Sequence, residues 1–311
     1  MRALLSRAAD TRVAVIALAA AWLLRVSASA APQGVPDPAK LLTAVGERVT
    51  NYYRRAESVI CTETSTVQPI DRNWSFQGFA RTVESELHVE LDAPDMHAGQ
   101  ALPDARVVRD IRRVNGHPPR ESDQKSRNGC TDPNPLSPEP LAFLLPPRRD
   151  EYRFTSIRTG RERNRAALII DFTSADRTSR PELVEDERGH DDCFDWKGPL
   201  ATRGQVWVDA QTYDVLRIER RVAGPVDVRV PPRLQRRYDF GTYVVLDRDE
   251  VTIRFRPVAF TDPDEILLLP ETIESITVVR GGLQSARRTE TFSGYRRFLT
   301  AGRIKGRDRH N

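Results

Sequence analysis

The densest run of chemically reactive residues in this sequence is Gly189-His190-Asp191-Asp192-Cys193. Imidazole, carboxylate and thiolate groups are together the ligands that a transition metal such as zinc accepts, and they would also suit a metal-dependent hydrolase. The run has none of the CxxC, HxxxH or HExxH spacings of known zinc sites, and no second half of a site is visible. His190, Asp191 and Asp192 therefore belong to the least favoured hypothesis, and we predict no metal and no cofactor.

Two acidic stretches, Asp262-Pro263-Asp264-Glu265 and Asp247-Arg248-Asp249-Glu250, offer the hard oxygen ligands that Ca²⁺ prefers. An ordinary turn between two strands explains such Asp-rich stretches without an ion. The turn is the favoured interpretation of both.

Nucleophilic catalysis has little support in the sequence. There is no GxSxG motif and no glycine-rich phosphate loop. A Cys61–His88 pair remains an alternative, but it has no local signature, and a buried structural thiol is the simpler interpretation of Cys61. We therefore predict a protein that is not an enzyme and assign no catalytic residue.

The first 30 residues have the pattern of a secretory signal peptide. Basic residues precede an apolar run of twelve at 13–24, and small residues lead to a cleavage point between Ala30 and Ala31. Twelve apolar residues fall short of the about 20 that span a bilayer, although an uncleaved anchor remains the alternative. The mature chain is predicted to be exported and soluble, in the periplasm or outside the cell, with no transmembrane segment.

An oxidising compartment changes the interpretation of the three cysteines. Cys130 and Cys193 lie in polar, turn-rich stretches and are the disulfide candidate, whereas Cys61 lies in an apolar segment. Closing that loop would contribute roughly 4 kcal/mol in the chain-entropy model. Three cysteines permit three single bridges, so the connectivity stays open.

Charge is distributed unevenly along the chain. The first 30 residues carry +3 and the last 16 carry +5 of a formal net charge of +4, which leaves the residues between them at −4. A mildly acidic body argues against a nucleic-acid partner.

The hydrophobic pattern predicts the elements that would position these residues. Apolar residues at spacings of three and four predict a helix at about 38–56, and a period of two begins at residue 58. Long polar loops are predicted at 115–135 and 174–200, and a short helix at about 138–145. The later strands are predicted at 152–159, 166–173, 204–209, 213–222, 233–246, 250–260, 266–280 and 285–298.

These elements define one α+β domain at 38–298, between a signal peptide (1–30) with a spacer (31–37) and a disordered basic tail (299–311). The fold class is a large antiparallel sheet with one long N-terminal helix and a short helix packed on it.

Several segments resemble known proteins. They are residues 53–68, 204–222, 267–276 and 291–298, together with the pair Tyr238 and Phe240. They are similar to uncharacterised secreted bacterial proteins related to the periplasmic lipoprotein-carrier (Lol-type) superfamily, which also includes sensor domains of envelope-stress signalling. The resemblance implies a strongly curved sheet, an incomplete barrel, whose concave face binds acyl chains in the carriers.

Two functional hypotheses follow. The preferred one is an exported non-enzymatic binding module that holds a lipid or a lipoprotein acyl chain in the concave face of the sheet. The alternative is an envelope sensor or protein-interaction domain with a closed core and an envelope protein as partner. Trp207 lies in a hairpin that would line either the cavity or the core, and no ligand-binding residue is predicted. An apolar cavity of several hundred Å³ would favour the first hypothesis.

Overall fold

The computed structural model describes residues 36–56, 58–91, 105–124, 140–176, 180–185 and 194–297. From Asp37 onward these residues belong to one compact unit. The predicted signal peptide with its cleavage point and the predicted basic tail lie outside the described residues, as do Cys130, Cys193 and the run at 189–193. The disulfide therefore stays a prediction, and the less favoured metal site at 190–193 stays a hypothesis.

The described residues form an open, mostly antiparallel sheet of thirteen strands in the order β3-β2-β1-β13-β12-β11-β9-β8-β5-β4, with β10, β6 and β7 branching from β11. The strands are β1 (Ser58–Ile70), β2 (Arg81–Leu91), β3 (Ala105–Val114), β4 (Tyr152–Glu162), β5 (Arg165–Ser174), β6 (Glu182–Glu185), β7 (Phe194–Lys197), β8 (Thr202–Asp209), β9 (Val215–Val222), β10 (Val226–Arg229), β11 (Tyr243–Thr261), β12 (Asp264–Arg280) and β13 (Ser285–Arg297). All pairings are antiparallel except the single bridge between β10 and β6.

Helices are few in this part of the chain. They are α1 (Pro38–Arg55), α2 (Glu121–Gln124), a 3₁₀ helix (Ala142–Leu144), α3 (Pro146–Arg149) and α4 (Pro232–Tyr238). The side chain of Asp37 caps α1 by accepting hydrogen bonds from the backbone N–H groups of Ala39 and Lys40. Leu41, Val45, Val49 and Tyr53 follow at intervals of four and are buried, so one stripe of α1 faces the sheet.

The sheet face that packs against α1 is called the inner face. Strand alternation defines it, because every second residue of a strand points to the same side. Its main core joins α1 to apolar residues of β1, β5, β8, β9, β11 and β12. A second core surrounds Leu183, Val228 and Leu234, where β6, β10 and α4 pack against β11.

Most predicted elements are confirmed within a few residues. The helix predicted at 38–56 is α1, and the hairpin predicted at 204–222 is β8–β9. The strand predicted at 233–246 is wrong in its first half, because residues 232–238 form α4. The short helix predicted at 138–145 is a 3₁₀ turn at 142–144. The loops predicted at 115–135 and 174–200 contain α2 and the strands β6 and β7.

Candidate ligand-binding cavity

A cavity of about 860 Å³ lies against the inner face at the centre of the sheet. Sheet registry builds its floor. Arg288 of β13 lies opposite Ser275 of β12, Ser275 opposite Val251 of β11, and Val251 opposite Arg220 of β9. These four side chains therefore share one row across the inner face. One row further along, Thr277 lies opposite Asp249. The floor is thus mostly polar, where an inner face that only packs would be apolar.

The wall of the cavity differs from its floor. Phe194 and Trp196 of β7, with Leu200 just after it, supply aromatic and aliphatic surface. Leu283, in the turn between β12 and β13, and Tyr152, at the start of β4, add to this apolar wall. A molecule in the cavity would therefore meet apolar groups on one side and polar groups on the other.

Charges in the cavity are of both signs and incompletely paired. Asp249 accepts a hydrogen bond of 3.0 Å from the Thr277 hydroxyl. Desolvation raises the pKa of the Asp249 carboxyl, and the positive charge of Arg220 opposes that shift. Within the described residues, the side chain of Arg220 makes no hydrogen bond and no ion pair. The negative charge of Asp195 raises the pKa of the Asp249 carboxyl further.

Gly204 allows neighbouring strands to pack closely beside this floor. It lies opposite Arg220 in β9 and opposite Phe172 in β5. A Cβ atom at this position would lie 2.0 Å from the Glu219 carbonyl oxygen and 2.7 Å from the Phe172 ring. Glycine is therefore required by close approach rather than by its backbone conformation.

A second, apolar pocket lies under α1 and measures about 70 Å³. It is bordered by Tyr52, Cys61, Leu87, Phe292 and Tyr295, among others. Binding sites for drug-sized molecules usually measure about 300–1,000 Å³, so this pocket is too small for an acyl chain. The cavity of about 860 Å³ is large enough, but it is not the apolar one that the sequence led us to expect.

A buried charged cluster extends the inner face from the cavity towards β2 and β3. Glu63 is fully buried, and the Arg109 guanidinium donates to both of its carboxylate oxygens, at 2.5 and 2.8 Å. Glu290 lies opposite Ser65 on the neighbouring strand, and burial raises the pKa of its carboxyl to about 7. Arg288 links this cluster to the cavity floor at 3.8 Å from Glu290.

Cys61 and His88 do not form a catalytic pair. Cys61 lies opposite Leu87 on the inner face, so His88 points to the outer face, where it contacts Glu86 at 3.0 Å. Burial, aided by the negative charge of Glu63, raises the pKa of the Cys61 thiol to about 12. A thiol of that pKa is a poor nucleophile, which supports a structural role.

The acidic stretches form ion pairs with arginines. Glu265 contacts Arg55 at 2.6 Å and also pairs with Arg297, while Asp247 contacts Arg280 at 2.6 Å. Among the residues that the structure describes, no group of three or more His, Cys, Asp or Glu side chains could hold a metal ion. The turn interpretation fits 262–265, which connects β11 to β12, but it is wrong for 247–250, because these residues lie within β11 and pair with β12 and β9.

Trp207 belongs to neither the cavity nor the main core. It lies in a small outer-face cluster with Ala167 and Leu216, and the Arg217 guanidinium lies 4.5 Å from its ring centroid.

The residues of the cavity floor were missed by sequence reasoning. Their signal is a change along β12, where the inner-face residues Leu267, Leu269 and Ile273 give way to Ser275 and Thr277.

Comparisons with known proteins found distant similarity in structure alone. No family model and no curated protein matches the chain. The chain is similar to a domain assigned to outer membrane lipoprotein sorting from Vibrio parahaemolyticus, with a TM-score of 0.35 and 12% identity over 86% of this chain and 96% of that one. It is also similar to a LolA superfamily protein from Nitrosomonas europaea, with a TM-score of 0.32 and 12% identity over 83% and 94% of the two chains.

A weaker similarity is to the MucA/MucB complex of Pseudomonas aeruginosa, with a TM-score of 0.22 and 12% identity over 81% of this chain and 93% of that one. The resemblance to the Lol-type superfamily is thus found again among solved structures. All three TM-scores lie below 0.5, so the cavity must be interpreted from its own geometry. No helix among the described residues is both long and apolar enough to cross a membrane.

Proposed function

We propose that this protein is an exported, non-enzymatic binding module whose inner-face cavity holds an amphiphilic ligand. The observation that carries the proposal is a cavity of about 860 Å³ with a polar floor and an apolar wall. Its volume lies in the range of known small-molecule sites.

The polar and charged groups of the floor determine which end of an amphiphilic ligand can bind against them. An alkyl chain against Arg220 and Asp249 would remove charges from water without replacing their hydrogen bonds, which is costly. A head group with donors and acceptors would replace them. A lipid that places its head group on the floor satisfies this requirement. A lipid is also the ligand class that the sequence predicted.

The apolar wall of the cavity suits the alkyl end of the ligand. Phe194, Trp196 and Leu200 present apolar surface to the cavity, and each Å² that an alkyl chain covers there contributes about 25 cal/mol. A chain running along this wall would lie over the second core rather than under α1. The alternative, an interaction domain with a closed core, accounts less well for a cavity of this size.

Native mass spectrometry tests the proposal. The mature chain, residues 31–311, would be purified from a periplasm without detergent, and its adducts identified by solvent extraction. We expect lipid-sized adducts that leave on mild activation. The variant Ser275→Phe places an aromatic ring on the polar floor, where the head group would bind, and should lose them.

The matched control is Glu274→Phe, which places the same ring on the opposite face of the same strand. This variant should keep the adducts. A wild-type spectrum without adducts, or adducts that persist unchanged in Ser275→Phe, would contradict the proposal.

A further inference from the structure

Three aromatic side chains project from the connection between β1 and β2. Trp74, Phe76 and Phe79 are 45%, 68% and 97% exposed, within ten residues of chain. Residues 71–80 are called the aromatic tip. Single exposed apolar side chains are common on proteins, but several large ones in one short connection mark an interaction surface.

The tip is an ordered turn. The Asp71 carboxylate accepts hydrogen bonds from the backbone N–H groups of Asn73 and Ser75, at 2.8 and 2.9 Å. Phe76 forms a backbone bridge with Ile70, which closes the turn at its base. The Arg248 guanidinium packs 4.1 Å from the Trp74 ring centroid and holds that ring in place. The turn that carries Trp74 and Phe76 is therefore held by hydrogen bonds, and Phe79 follows it before β2 begins.

The size and shape of the tip favour a lipid surface over a protein. Aromatic side chains bury roughly 150–250 Å² each, so these partly exposed rings present on the order of 400 Å². A specific protein interface takes about 800 Å² from each partner. A bilayer interface needs no matching pocket, and it accommodates Trp at the head-group level with Phe below.

Charge around the tip is complementary to anionic lipid. Arg72 lies within the tip, and Arg287 lies opposite Gln68 near the end of β1. Arg120 immediately precedes α2. This helix lies near the start of β2, because its Asp123 pairs with Arg81. The side chains of Arg72, Arg120 and Arg287 are exposed and form no ion pair with any described residue. Each free cation close to an anionic bilayer strengthens its attraction.

We infer that the aromatic tip docks this protein on the surface of an anionic membrane, with Phe76 and Phe79 inserted into the interface. This inference does not depend on what the cavity binds. The tip nevertheless adjoins the cavity, because the backbone N–H of Gln77 donates to the Pro69 carbonyl at 2.9 Å and Pro69 lines the cavity.

Vesicle co-sedimentation tests the inference. Residues 31–311 would be mixed with vesicles containing 30% phosphatidylglycerol or with pure phosphatidylcholine. We expect the protein to sediment with the anionic vesicles and far less with the neutral ones. The double variant Phe76→Ser/Phe79→Ser should lower the partition coefficient at least ten-fold, and its melting temperature should match that of the wild type because both rings are exposed.

The matched control is Val108→Ser/Ile266→Ser, which removes two exposed apolar side chains from other parts of the surface. Its partition coefficient should equal that of the wild type. Three results would overturn the inference: no sedimentation of the wild type with anionic vesicles, equal sedimentation of the tip variant, or a dimer in solution that the tip variant abolishes. The last result would assign the tip to a second copy of the chain.

Discussion

At the scale of single residues, the paired charges of Glu63 and Arg109 are the most consequential. Removing one partner leaves the other buried and unpaired, which is costly. We expect Arg109→Ala to lower the free energy of unfolding by about 3 kcal/mol, measured by urea denaturation. Arg112→Ala on the same strand is the control, because that side chain is 53% exposed and should change stability by less than about 1 kcal/mol. Equal effects of the two variants would contradict this assignment.

Glu290 should make stability depend on pH. The pKa of its carboxyl is raised from 4.5 to about 7, chiefly by burial, so folding favours the protonated form. The free energy of unfolding should therefore decrease as the pH rises from about 4.5 to 7, by up to about 3 kcal/mol, and level off above 7.

The variant Glu290→Gln isolates this effect. Urea denaturation between pH 5 and 8 should show a shallower decrease in stability for the variant than for the wild type. The groups facing Glu290, namely Glu63, Arg109 and Arg288, are the same in both proteins. Parallel pH profiles would mean that Glu290 ionises as an ordinary carboxyl.

Single residues were predicted from the sequence only where the local pattern decides their environment. Cys61 lies in an apolar segment, and its burial follows from that. Glu63, two residues later, carries no such signal, because its partner Arg109 comes from a strand 46 residues away. A buried ion pair depends on the registry of three strands, which the sequence does not contain locally.

At the scale of elements, β8 and β9 depend on a missing side chain at Gly204. A Cβ there would overlap the Glu219 carbonyl and the Phe172 ring. We expect Gly204→Ala to destabilise the fold by about 2 kcal/mol, as overpacking does. Gly224→Ala is the control, because a Cβ at that position meets no atom within 4 Å. Thermal denaturation of both variants measures the difference, and equal melting temperatures would refute the steric argument.

The helix α4 shows why element type was not always predictable. Leu234, Tyr238 and Phe240 recur at even spacing, which fits a strand, while Leu234 and Tyr238 are also four residues apart, which fits a helix. Pro232 occupies the first turn of α4, where its missing N–H costs nothing. Packing of Leu234 and Tyr238 against the second core decides between the two patterns.

The same ambiguity applies to the cavity floor. Strand alternation in the sequence indicates that Ser275 and Thr277 share a face, but not which face is covered. The structure places them with Leu267 and Leu269, whose face is covered by α1 at the other end of β12. Only the packing of α1 distinguishes a polar cavity floor from an ordinary solvent-exposed face.

At the scale of the whole molecule, the cavity lies where the main core gives way to the second core. Its lining includes Tyr152 and Val251, which pack against the main core, and Phe194, Trp196 and Val279, which belong to or pack against the second. Filling the cavity would join the two cores through the ligand. A bound amphiphile should therefore raise the melting temperature of both cores, by an amount that grows with the logarithm of its concentration once the site is saturated.

The three tryptophans among the described residues lie in three different environments. Trp196 lines the cavity, Trp74 lies in the aromatic tip, and Trp207 is buried on the outer face. Tryptophan emission shifts to shorter wavelength when the indole leaves water. We therefore expect an amphiphile to shift the emission of Trp196 and anionic vesicles to shift that of Trp74, while Trp207 contributes a constant background.

Two single variants separate these signals. Trp196→Phe should abolish the response to the amphiphile and keep the response to vesicles, and Trp74→Phe should do the reverse. Both rings have exposed or cavity-facing surface, so replacement by phenylalanine should preserve the fold. If one variant abolished both responses, cavity and tip would be a single site. Independent loss would show that this sheet carries a ligand site and a membrane contact side by side.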